Sequence, residues 1–270
     1  MIAVSGIQKS SSRFHTIIHL CSFLIVIYSF TMLMPIAVAL FYKDGYITPF
    51  LITFLLSLFI GVVGWKMTSE ENKNLQKRDG FMVACLFWLI FSLMSALPFL
   101  LDRRLDLSLT DAMFEGVSGI TTTGASIFSD IDELPKSILF YRAQLNFLGG
   151  LGIIVLAVAI MPFLGIGGAK LYQSEMPGPM KEEKMTPRLA DTARNLWGLY
   201  SVLALGCAVA YKLAGMNWFN AICHSLSTVS LGGFSTHSDS LGYYNSAAIE
   251  LVGGVFSILA AINFALYYIV

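Results

Sequence analysis

Six blocks of roughly twenty mostly apolar residues, each long enough to cross a bilayer, leave this 270-residue chain few folds to choose from. They cover about 15–41, 46–65, 80–101, 137–164, 195–214 and 246–270. A span of that length needs every backbone N–H and C=O paired within the hydrocarbon, which only helices and closed barrels achieve. The apolar residues run in unbroken blocks rather than in alternation, so an all-α integral membrane protein is predicted. Membrane lipid is then its first partner. The 17 basic and 17 acidic residues balance, which removes the electrostatic case for nucleic acid or an acidic partner. Residues 1–13 form a short polar tail, and the apolar run behind them is too long for the core of a cleavable signal.

Two stretches break the helical pattern, and they are related. Ser118-Gly119-Ile120-Thr121-Thr122-Thr123-Gly124-Ala125-Ser126 is a hydroxyl-rich run centred on glycine, set inside apolar sequence. Placing Gly124 over Gly233, a shift of 109 residues, brings Asp111-Ala112 onto Asn220-Ala221, Ser118 onto Ser227, Thr121 onto Ser230 and Ser126 onto Ser235. Each copy is a span, a short half-polar helix (107–120 and 217–228), a glycine run and another span. The fold predicted is an accessory helical hairpin followed by two units of helix, re-entrant half-helix, filter loop and helix. The corresponding domains are 1–79 for the hairpin with its following loop, 80–169 for the first unit, 170–194 for a connector and 195–270 for the second unit.

Lys and Arg set the orientation. Placing the N-terminal tail, the loop 66–79 and the loop 165–194 on one side gathers eleven of the seventeen basic residues there. The positive-inside rule makes that side, and the N-terminus, cytoplasmic, so both half-helices enter from outside.

Irregular backbone at membrane depth is tolerated only where protein buries it or where it lines a watery cavity. A half-helix entering from outside points its partly negative C-terminal end into the membrane, where it favours a cation. Gly124 and Gly233, without a Cβ, can take φ > 0 and turn carbonyls toward an ion. Thr121, Thr122 and Thr123 add hydroxyls to the first loop, whereas Ser230, Leu231, Gly232 and Gly233 leave the second to rely on carbonyls. These eight residues are the candidate cation-binding set, and Gly149-Gly150-Leu151-Gly152 would let the filter or another helix approach the fourth span closely.

Beyond the two glycine runs, the stretches NFLGGLGIIVLAVAIMPFLGIGG at 146–168, LYQSEMPGP at 171–179 and KMTPRLADTA at 184–193 resemble the Trk/Ktr/HKT superfamily of potassium transporters, most closely its Trk-type uptake subunits. The resemblance implies potassium as the transported ion, held at the same eight residues and needing no separate cofactor. It also implies residence in the bacterial inner membrane, a cytosolic nucleotide-binding regulatory subunit arranged as a ring, and a homodimer. Members of this superfamily close one pore with four such units. Two occur here, and the last residue aligns near Met161 at the end of a unit, so the chain reads as the N-terminal half of a longer or split protein, the alternative being that two copies complete a ring. The alternative function is a non-conducting scaffold or half-transporter.

Other residues carry blander readings. His15 and His19 have the i, i+4 spacing of metal ligands but no third ligand nearby, and read as packing or interfacial residues. His224 and His237 read as structural hydrogen-bonding groups beside the second loop. Asp111 and Glu115 read as complementing a half-helix N-terminus, with attraction of cations as the alternative, and Arg142 reads as an interface anchor rather than a gate. The cysteines Cys21, Cys85, Cys207 and Cys223 lack CxxC spacing and read as small packing residues. No nucleophile and base pair, and no phosphate-binding glycine motif flanked by strand and helix, supports an enzyme.

Overall fold

The structure is a computed structural model that describes residues 2–68, 77–164 and 185–262. Among these residues every regular element is a helix, and no strand occurs. The chain divides into two compact units, one of residues 1–117 with 135–138 and one of 118–134 with 139–270.

The first unit holds α1 (Ile2–Thr31), α2 (Leu33–Tyr42), α3 (Ile47–Met67), α4 (Lys77–Leu101) and most of α5 (Leu109–Ile120). Helix begins at Ile2, so the polar tail expected before the first span is itself helical. That span bends at Met32, because Pro35 has no N–H for the Thr31 carbonyl and its ring crowds that carbonyl. The Thr31 hydroxyl turns back to Tyr28 C=O at 2.6 Å, and Met32 N–H tightens onto Ser29 C=O at 3.1 Å.

Small and hydroxylated residues form the seam between α1 and α3, where a Cβ on Gly61 would meet the Val26 backbone. His19 closes one end of it, hydrogen-bonded to Thr68 C=O at 2.9 Å and accepting from Trp65 Nε1 at 2.9 Å. At the other end Lys43 (φ 55°) and Gly45 (φ 80°) turn the chain. There Asp44 accepts from Tyr46 N–H at 3.0 Å and from Ser137 N–H at 2.9 Å. Arg104 grips Asp102 through two arms at 2.9 and 3.0 Å, donates to Gly45 C=O at 3.1 Å and lies 3.3 Å above the Tyr46 ring. The paired Asp102 carboxylate raises the pKa of its guanidinium further.

The second unit holds the end of α5, the first glycine run, α6 (Lys136–Leu164) from residue 139, α7 (Met185–Leu213), α8 (Trp218–Val229), a 3₁₀ turn (Ser240–Tyr244) and α9 (Ala247–Ala261). Its core gathers Tyr200, Cys207 and Tyr211 of α7 with Leu151 of α6, Val229 of α8 and Ile249 of α9.

Four stretches among the described residues are long and apolar enough to span: His15–Tyr42, Ile47–Met67, Met82–Leu101 and Arg194–Leu213, of 28, 21, 20 and 20 residues. α6, with 29 residues, is longer than any of them. Their outward faces are apolar, as a lipid-facing surface requires, with Phe41, Phe59 and Leu205 all widely exposed.

Three expectations change. Residues 185–194, read as part of a soluble connector, are the start of α7. α9 has 15 described residues, and Ile262 beyond it is extended, so a helix through 246–270 is met only in part. Cys85 is exposed, so the packing role fits only Cys21, Cys207 and Cys223. Residues 69–76, 165–184 and 263–270, with the rest of the connector and the motif at 171–179, lie outside the described residues.

Candidate functional site

The two half-helices begin and end at the same positions under the 109-residue shift. α5 is Leu109–Ile120 and α8 is Trp218–Val229. Both start the same way. The hydroxyl of Ser108 accepts Asp111 N–H at 3.2 Å, and the side chain of Asn217 accepts Asn220 N–H at 2.8 Å. These are N-caps at equivalent positions, satisfying one free donor of each first turn. Ser108 Oγ in turn donates to the Asp111 carboxylate at 2.6 Å, which fits the expected N-terminal role. Glu115 does not fit it, because it lies one turn further along and is completely buried.

Both helices also end the same way. Thr123 N–H donates to Ser118 C=O at 2.9 Å and Thr122 N–H to Gly119 C=O at 3.1 Å. In the second copy Gly232 N–H donates to Ser227 C=O at 3.0 Å and Leu231 N–H to Thr228 C=O at 3.1 Å. This is the Schellman ending, which requires a left-handed residue one past the cap. Thr122 (φ 57°) and Leu231 (φ 56°) supply it, although glycine is the usual occupant. Two residues on, Gly124 (φ 75°) and Gly233 (φ 92°) again take positive φ, as expected of them. Both loops therefore change backbone hand twice, at equivalent positions.

The loops touch. A Cβ on Gly124 would collide with the carbonyl of Gly232, whereas one on Gly233 would meet open space. The first glycine is thus required by contact as well as by φ. Thr121 and Thr123 share a hydroxyl hydrogen bond of 2.8 Å, Ser118 Oγ donates to Ala125 C=O at 2.5 Å, and Ser230 Oγ donates to Ser227 C=O at 2.9 Å. Thr123, Leu231 and Gly233 are exposed, Thr121, Thr122 and Gly124 are half-buried, and Ser230 and Gly232 are buried. Gly149 does what the glycine patch promised, since a Cβ there would strike the carbonyl of Ile120 at the end of α5.

Two residues of α6, one turn apart, reach both loops. Arg142 is 1% exposed. Its Nη2 donates to Ser126 Oγ at 2.9 Å and its Nη1 to Ser235 C=O at 3.1 Å, and those two serines are repeat equivalents. Its guanidinium carbon sits 4.3 Å from the centre of the Phe234 ring. An interface anchor would snorkel toward water, so that reading of Arg142 is replaced by a buried tie. Asn146 is fully buried. In the amide orientation that satisfies both its ends, Nδ2 donates to Gly119 C=O at 2.9 Å, and Oδ1 accepts from Phe234 N–H and from Ser227 Oγ, each at 3.1 Å.

The model of the TrkH family, described as a cation transport protein, matches residues 47–270. The chain belongs to the TrkH family. It is 56% identical over 261 residues to the Trk system potassium uptake protein TrkG of Escherichia coli strain K12, covering 97% of this chain and 54% of that protein. To the potassium uptake protein TrkH of Vibrio parahaemolyticus it is 50% identical over 256 residues, covering 95% of this chain and 53% of the relative. The crystal structure of the potassium transporter TrkH from Vibrio parahaemolyticus superimposes with a TM-score of 0.85 at 47% identity, over 94% of this chain and 51% of that one. The chain spans about half the length of the curated relatives it matches. The family resemblance, the all-helical fold and a multi-pass membrane protein are thereby established for this TrkH-family chain.

Outside the loops, the histidines are structural, as expected. His224 Nε2 pairs with Thr236 Oγ1 at 3.1 Å. His237 stacks flat on Tyr243 at 3.5 Å, pairs with Asn220 at 2.9 Å and binds Asp132 through Nδ1. Asp132 also accepts Ser238 N–H at 3.0 Å. That backbone donor first, and His237 second, hold its carboxyl down to about 2. No group of three metal-ligating side chains occurs among the described residues. A cavity of about 260 Å³ opens beside the second loop, bordered by His224, Ser227, Thr228, Leu231 and Gly233.

Proposed function

We propose that the chain provides two of the pore units of a potassium-uptake pathway, with Thr121, Thr122, Thr123 and Gly124 of the first loop and Ser230, Leu231, Gly232 and Gly233 of the second supplying oxygens to the ion. The observation that carries this is the repeated change of backbone hand, at Thr122 and Gly124 and again at Leu231 and Gly233, at the C-terminal ends of two half-helices whose loops are in backbone contact. A backbone that alternates in this way turns carbonyls to a common side, where they can replace the hydration shell of an alkali cation. The partly negative helix ends behind them add favourable potential. Relatives named as potassium uptake proteins support potassium as the ion.

The function is transport without catalysis, and the ion is substrate rather than cofactor. Loop charge supports an inner-membrane orientation with the N-terminus cytoplasmic. A cytosolic nucleotide-binding regulatory subunit and a second copy of the transporter complete the assembly. Replacing Gly124 by Asp in the transporter as it occurs in its membrane should abolish potassium uptake while the protein still reaches the membrane. Undiminished uptake at equal protein level would overturn the reading.

A further inference from the structure

One way for a filter to tell apart cations that differ in radius by a fraction of an ångström is to keep the oxygens around them at fixed spacing. Within each loop the Schellman bonds set that spacing. Between the loops, the contact of Gly124 with Gly232 is non-directional, so directional ties must come from elsewhere. Arg142 and Asn146 supply them from one face of one helix. Asn146 holds both loops on the half-helix side of the glycine run, through Gly119 C=O and Ser227 Oγ. Arg142 holds both on the far side, through Ser126 Oγ and Ser235 C=O. Phe234, next to Gly233, is gripped twice, its ring by Arg142 and its N–H by Asn146.

We infer that Arg142 and Asn146 form a two-point bracket on α6 that fixes the distance between the two loops, and that they are positioning residues for discrimination between potassium and sodium. The inference rests on reading the loops as an ion filter. A pair of ties on a packed helix can hold a site to the tolerance that selection needs, which exposed loops alone do not.

The test measures the ratio of potassium to sodium uptake in cells whose only potassium uptake system is the transporter carrying each variant, with protein in the membrane and its thermal denaturation recorded. Asn146→Leu and Arg142→Met should lower the ratio about tenfold, the scale of one lost buried hydrogen bond. Ser126→Ala, which removes a single Arg142 partner, should lower it less, and Arg142→Lys should recover part of the loss. If Asn146→Leu or Arg142→Met fails to reach the membrane, Ser126→Ala and Arg142→Lys read the same ratio with milder disturbance. Equal loss of both uptakes at an unchanged ratio would mean a merely structural role and overturn the bracket. Gly124→Ser and Gly233→Ser separate the two ideas. If they lower the ratio while folded bracket variants leave it unchanged, the bracket is wrong and the filter stands. Should they leave it unchanged, the filter reading fails first.

Discussion

The first and second glycine loops share a backbone, a glycine and their flanking serines, but not the residues just before the glycine. Three threonines stand in one where serine, leucine and glycine stand in the other, yet N-caps, Schellman bonds and both positive-φ positions coincide under a single shift. What recurs is where the backbone turns. The hydroxyls are free to differ, which is the pattern expected if carbonyls do the common work. The loops also differ in how they are closed. Ser118 bonds back onto Ala125 within its own loop, whereas its equivalent Ser227 is bonded to Asn146, so the second loop depends more on α6.

The largest effect that should break the equivalence is at the glycines themselves. Gly124→Ala combines left-handed strain with collision against a backbone carbonyl that cannot rotate away, and should cost about 3 kcal/mol or more. Gly233→Ala meets open space and should cost only the strain, about 1 kcal/mol. Thermal denaturation of the two purified variants checks the order, and equal losses would mean the loops are not packed as described.

A smaller effect, of opposite sign, belongs to the left-handed non-glycine residues. Thr122→Gly and Leu231→Gly both relieve an unfavourable φ, and Thr122→Gly should gain more because a β-branched residue is the more strained there. The gain should be up to about 1 kcal/mol. If the same denaturation assay finds both variants destabilised, side-chain packing rather than backbone hand governs these positions.

The smallest effect is in the return segments behind the loops, where Asp132 forms a clip, binding His237 and Ser238 N–H while Ile131 N–H donates to Ser238 Oγ. Its carboxyl lies at about 2, below the ordinary value near 3.9. The clip should therefore be complete above about pH 4 and be lost as pH falls through about 2. The carboxyl carbon resonance of Asp132 should report that midpoint. His237→Ala should move it upward, and a midpoint already near 4 in the unaltered protein would remove the clip.

Much of this architecture was legible in the residues. The spans follow from apolar length, the repeat from the glycine and hydroxyl spacing, and the C-terminal limits of the half-helices from the glycine runs. The bend at Met32 is not legible in the apolar run, which reads as one span whether or not Pro35 kinks it. Residues 185–194 looked like loop because they are polar, and polarity does not stop a helix that continues from a span.

Sequence alone determined the membrane class, the helical spans, the duplicated half-helix and the two glycines, because each follows from local length, periodicity or backbone freedom. Only tertiary structure decided that Thr122 and Leu231 turn left-handed, that Gly124 abuts Gly232, and that Arg142 and Asn146 tie the loops together. A buried arginine and an interfacial one have the same neighbours in sequence. Which one Arg142 is depends on Ser126 and Ser235, 16 and 93 residues away, and no local pattern encodes that contact.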